Sequence, residues 1–169
     1  MDDEPLSELD ETRPPSDEDL ARLASRLNEL GTKYIVVGGF AIIAAGFART
    51  TMDIDLLVDV SKENDIKVRE ALKILPDQAI LEIEAGEIEK YVVVRICDEF
   101  TVDLMAKACG MSYADAEGLI EFREYHGVRI PFASPALLWK TKQTYREKDA
   151  MDRSFLRRLL EDRGEWPVK

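Results

Sequence analysis

The chain of 169 residues has one histidine, two cysteines and no apolar run approaching the ~20 residues of a membrane-spanning helix. Each scarcity excludes something. His126 is followed by Gly127 in an expected turn, so a histidine-based triad or zinc site is not supported. Cys97 and Cys109 lack metal-ligand spacing and are too few for a disulfide framework; they read as packing residues of a protein in a reducing cytoplasm. Met1 opens onto acids rather than a basic-then-apolar leader. No internal repeat occurs, and no interleaving of basic and aromatic residues of the single-strand-binding kind. Bases are also scarce: 23 Lys and Arg against 34 Asp and Glu give a net charge of −11. That balance argues against long duplex DNA as a partner, while the lack of a long apolar run argues against a membrane.

The charge is unevenly spread. Residues 1–20 carry nine acids and one base, whereas residues 121–169 carry eight acids and 11 bases. Residues 1–15 read as a disordered acidic arm, either a solubility tail or a docking segment. Residues 16–169 read as a single domain with a helical C-terminal part. Apolar residues make up 46% of the chain, ample for one core.

Ser16 is placed to cap a helix with Leu20, Leu23, Leu27 and Leu30 on one face, stopped at Gly31. Residues 33–38 read as a buried strand, 40–45 as a short helix, 54–59 as a second strand, and 62–75 as a helix capped by Ser61. Residues 91–97 and 100–105 read as a hairpin about a tight Asp98–Glu99 turn. Residues 77–90 are ambiguous, because Ala79 to Glu84 alternates like a strand. A short helix near 112–119, an edge strand at 128–132 and helices at 135–145 and 149–161 complete the pattern. The expected fold is α/β (α+β), a mixed sheet of about five strands flanked by helices.

Three features carry chemistry. Gly38-Gly39 lies between a strand and a helix, where bare backbone can approach a phosphate, although such a pair is also ordinary turn geometry. Asp53-Ile54-Asp55 places two carboxylates on one face of a strand, a costly pairing unless a cation lies between them or the face is solvated. Asp103 sits amid the apolar strand Phe100–Met105. If the two strands are neighbours, three carboxylates converge, an all-oxygen set suited to Mg²⁺ and to providing a base for a hydroxyl. A structural Ca²⁺ loop is disfavoured because evenly spaced oxygen ligands are missing.

Gly38-Gly39, thirteen intervening residues and then Asp53-Ile54-Asp55 resemble the signature of the nucleotidyltransferase superfamily related to DNA polymerase β. Tyr34–Ala41, Arg49–Val58 and Arg146-Glu-Lys-Asp149-Ala-Met-Asp152 resemble its compact bacterial branch, which includes AbiEii-type toxins of toxin–antitoxin systems. The resemblance implies a Mg²⁺-dependent transfer of a nucleoside monophosphate from an NTP to a hydroxyl acceptor on protein or RNA. It makes Asp53, Asp55 and Asp103 metal ligands and catalytic residues, Asp103 also the base, and Gly38 and Gly39 the triphosphate cradle. It admits a protein partner, toxin or antitoxin. Gly39 departs from relatives that carry Ser after the first glycine. Cations would then matter more: Arg49, and Lys140, Lys142, Arg146 and Lys148 on an expected helical ridge, where 142 and 146 share a face. The alternative for those cations is a solvated helix face. Asp149 and Asp152 are expected to tether the last helix. The alternative for the whole chain is a non-catalytic nucleotide- or partner-binding module of the same fold.

Overall fold

The computed structural model describes residues 12–144 and 146–169. Most of the expected acidic arm therefore lies outside the described residues. Within its last part, Pro15 is buried and Arg13 forks onto Asp19 and also pairs with Glu99 at 2.8 Å. That pairing holds the Asp19 carboxyl down at about 2.

Helix α1 (Asp17–Glu29) starts where Ser16 and Asp19 form a reciprocal capping box, and it buries Leu20, Leu23, Ala24 and Leu27. Strand β1 (Tyr34–Val37) runs straight into α2 (Gly38–Ala44). Strand β2 (Asp53–Val58) follows, then α3 (Lys62–Ala71), capped by Ser61. After α4 (Glu87–Tyr91) come β3 (Val93–Cys97) and β4 (Thr101–Met105), then a small hairpin of β5 (Lys107–Ala108) and β6 (Met111–Ser112). Helix α5 (Tyr113–Ala116), β7 (Ile120–Tyr125), β8 (Val128–Ala133), α6 (Pro135–Thr141) and α7 (Glu147–Asp162) complete the order.

The main sheet is mixed, six strands in the order β3-β4-β2-β1-β8-β7. One face of its centre is apolar, with Val36, Ile54, Leu56, Val102 and Leu104 fully buried, while the other buries Ile35 and Leu57 and also carries Asp53, Asp55 and Asp103. Strand β2 lies antiparallel to β1 and parallel to β4, and this second pairing positions the carboxylates.

The expected mixed sheet flanked by helices is present, with six strands: β7 forms a hairpin with β8 around His126–Gly127. Some details differ from expectation. β7 is therefore the edge, and β8 is interior, meeting β1 at Val36 and Phe132. The ambiguous segment from Ala79 forms a 3₁₀ turn. The Asp98 carboxylate explains it, accepting from the backbone N–H groups of Asp77 and Ala79 at 2.9 and 3.0 Å. Cys97 and Cys109 are exposed rather than packed. Among the described residues no helix is long and apolar enough to cross a membrane.

Candidate active site

The register of β2 against β4 sets Asp55 directly beside Asp103 and Asp53 beside Thr101. Side chains two apart on β2 share a face, so Asp53 and Asp55 point where Asp103 points, while Ile54 and Leu56 enter the core. One carboxylate oxygen from each of the three aspartates lies within 4.8 Å of the others. The three are brought together as the sequence pattern required.

Three carboxylates so close repel one another. Burial, then the charges of Asp103 and Asp53, push the Asp55 carboxyl up to about 7, against a smaller opposing pull from Lys142. The donors are all oxygen and of one charge, an unfavourable set that a hard divalent cation would relieve. The residues present thus fit a metal of the Mg²⁺ class, with Asp53, Asp55 and Asp103 as its holders.

A stability prediction follows from the raised carboxyl. A carboxyl whose folded pKa lies above its unfolded value stabilises the fold only while protonated, so that contribution is lost as pH rises from about 4 through 7. Metal-free protein should therefore be less stable at pH 7.5 than at pH 5, and 10 mM Mg²⁺ should remove most of that difference. Thermal melts at the two pH values check it, and equal melting temperatures without metal would contradict it.

Gly38 packs against Asp55. It has φ +68°, a conformation L side chains rarely adopt, and a Cβ there would overlap the Asp55 carboxylate, 2.8 Å from its Cγ. Gly38 is thus the residue that makes room for Asp55, and it is not in the pocket lining. We expect Gly38→Ala to cost about 1–3 kcal/mol and to weaken metal binding, because the Asp55 carboxylate must turn aside. Chemical denaturation and a Mn²⁺ titration read the two effects separately.

Gly39 does line the pocket. A Cβ at this position would lie 2.7 Å from Thr51 Cβ, and Thr51 Oγ1 donates to the Asp53 carbonyl at 3.1 Å. Thr51 therefore fills the space in which a serine at position 39 would stand, and it brings a hydroxyl of its own to the pocket. Helix α2 receives no side-chain cap at Val37.

The pocket has a volume of about 560 Å³ and is lined by the three aspartates, Gly39, Thr51, Arg49, Arg95, Lys142, Arg146 and Lys148, with Phe47, Met52, Met105 and Met151 as apolar surface. The structure brings every candidate cation to it except Lys140. The route differs from the expected ridge, because the chain leaves α6 at Lys142 and enters α7 after Arg146. No continuous helix carries both residues. Lys142 is only 6% exposed in its side chain, and its ammonium lies 3.3 Å from Asp149 and 3.1 Å from Asp152. Asp149 also accepts from the Thr144 hydroxyl and from Arg146 at 2.9 Å. Burial alone would raise the Asp149 carboxyl, but these donors and the Lys142 charge bring it below its usual value. Asp152 accepts from Arg49 at 2.6 Å. Arg153 ties the connecting segment by donating to the carbonyls of Lys142 and Thr144. Asp149 and Asp152 are therefore the tethers that fix three cations along one wall.

Arg95 was missed by sequence reasoning. It stands on β3 opposite Asp103, donates to both Asp103 oxygens at 2.9 and 3.0 Å, and reaches Asp53 at 3.3 Å. The hairpin that sets this pairing turns through Asp98–Phe100, three residues rather than two. Counting from a two-residue turn would place Arg95 opposite Val102.

A solved structure of a lincosamide antibiotic adenylyltransferase, LnuA, with lincomycin bound, has a similar fold. It superimposes with a TM-score of 0.55 at 13% identity, over 87% of this chain and 99% of that one. This chain has a nucleotidyltransferase-like fold. A Thermotoga maritima protein described as a candidate nucleotidyltransferase aligns at a TM-score of 0.48 and 18% identity, covering 85% of this chain and 91% of its own. No protein-family model and no curated protein sequence matches the chain.

Proposed function

We propose that the protein is a metal-dependent nucleotidyltransferase that moves a nucleoside monophosphate from an NTP to a hydroxyl. One observation carries the proposal: Asp53, Asp55 and Asp103 converge on one side of a pocket whose other wall bears Arg49, Lys142 and Arg146. Negative charge on one wall suits a cation, and positive charge on the other suits phosphates. When bound, Mg²⁺ would neutralise phosphate charge and lower the cost of the charge that develops at the reacting phosphorus.

The protein's own residues supply the rest. Asp53 and Asp55 would hold the metal, and so set where the phosphates of the substrate meet the carboxylates. Arg49 and Arg146 orient the β- and γ-phosphates, so that the departing pyrophosphate leaves toward positive charge. Lys142, already held by two aspartates, contributes a fixed field rather than a mobile contact. Asp103 is positioned to accept the proton of the attacking hydroxyl. The apolar surface of Phe47, Met52, Met105 and Met151 offers a face for the nucleobase or an apolar part of the acceptor, and Met52 and Met151 are each 60% exposed. For the acceptor we favour a hydroxyl on a protein or RNA, within a toxin–antitoxin pair, on the strength of the Arg146–Asp152 resemblance alone; the neighbouring genes are the check.

The test is incubation of the protein with cell extract, Mg²⁺ and NTP labelled either at the α- or at the γ-phosphate. Label should enter a macromolecule from the α position only. Transfer from the γ position would identify a kinase instead. Tight NTP binding with no transfer would favour the non-catalytic binding module.

A further inference from the structure

Arg95 occupies the site in a way that metal binding cannot leave unchanged. Its guanidinium spans both oxygens of Asp103 and reaches Asp53, two of the three carboxylates that form the metal set. A bidentate arginine engages the carboxylate lone pairs best suited to a second cation, so the two compete for the same electron density. Yet the Arg95 side chain is 58% exposed, whereas that of Lys142 is 6% exposed and enclosed by two aspartates. Of the cations around the trio, Arg95 is thus the one on an edge strand with solvent beside it and room to swing away. Lys142 stays.

We propose that Arg95 is an exchangeable counter-cation of the carboxylate trio: it holds Asp103 and Asp53 in metal-free protein and is displaced when a divalent ion binds. The proposal rests on the reading of the trio as a metal site. It makes Arg95 a positioning residue with two consequences. In the metal-free state it keeps three repelling carboxylates in place. A bound triphosphate, by attracting the released guanidinium, favours metal entry, so nucleotide and metal bind with positive coupling.

The experiment is a titration of full-length, metal-free protein with Mn²⁺ alone, free Mn²⁺ being read by electron paramagnetic resonance. Arg95→Gln should bind Mn²⁺ about tenfold more tightly than wild type, because the competing cation is gone. Arg123→Gln, which removes an equal charge from β7 at the opposite edge of the sheet, should leave the affinity unchanged. Equal affinity in wild type and Arg95→Gln, or equal tightening by Arg123→Gln, overturns the inference while leaving the metal site intact. A purely structural Arg95 would lower the melting temperature without tightening Mn²⁺, which also overturns it. Failure of every variant and of wild type to bind Mn²⁺ overturns the metal-site reading itself. Should Arg95→Gln not fold, Arg95→Lys keeps a charge but loses the fork, and the same direction of change is expected.

Discussion

Asp55→Asn is expected to abolish nucleotidyl transfer, lowering it by at least about 10³-fold, and at the same time to make the metal-free protein more stable. The two effects have one cause. Asp55 sits between Asp53 and Asp103, and burial together with their charge lifts its carboxyl to about 7. Ionising it at neutral pH opposes folding by about 2–4 kcal/mol, a cost that an amide of the same shape avoids. The amide can still hydrogen-bond to Asp103, but it neutralises no cation and leaves the trio one charge short. The stabilisation should grow as pH rises from about 4, level off above about 7, where wild-type Asp55 is ionised in both states, and vanish well below pH 4, where it is protonated in both. At roughly 2–4 °C per kcal/mol for a chain of this size, melting curves resolve it readily. A site residue whose removal stabilises the fold is the signature of an arrangement kept for chemistry. A structural aspartate would show the reverse.

Asp152→Ala gives that reverse behaviour. Asp152 is 1% exposed, accepts from Arg49 at 2.6 Å and forms an ion pair with Lys142 at 3.1 Å. Deleting it leaves Lys142 buried with Asp149 as its one remaining carboxylate and strips Arg49 of its ion-pair partner, and breaking a buried pair from one side costs about 3–5 kcal/mol. The melting temperature should fall by about 10 °C, at the scale used above. Asp152→Asn keeps the acceptor oxygen and should lose less. Because Arg49 and Lys142 also line the pocket, nucleotide affinity should fall in both variants.

These two aspartates also mark how far the sequence could be read. Asp53, Asp55 and the Gly38-Gly39 pair are local features, with period two on a strand and a turn between a strand and a helix. The apolar residues around them announce the strands on which they lie. Asp103 was recognisable because a lone carboxylate in Val102-Asp103-Leu104 has no place in a core. Arg95 was not recognisable, since its role depends on whether the β3–β4 turn has two residues or three, and a one-residue slip moves it to the other face. Lys142 was a candidate cation on an expected helical ridge, but its enclosure by Asp149 and Asp152 depends on α7 folding back. Strand β7 escaped for a third reason: Glu121, Arg123 and Glu124 break the apolar pattern on an edge that needs little burial. Local pattern was legible, whereas register and tertiary enclosure were not.

The measurement that tests the central claim most directly is a calorimetric titration of ATP into the protein with and without Mg²⁺, for wild type and for Asp53→Ala/Asp55→Ala. If the carboxylate trio joins metal to nucleotide, wild type should bind ATP substantially more tightly with Mg²⁺, and the double variant should lose that gain while remaining folded. Tight binding of equal strength with or without Mg²⁺, unchanged in the double variant, would contradict the account.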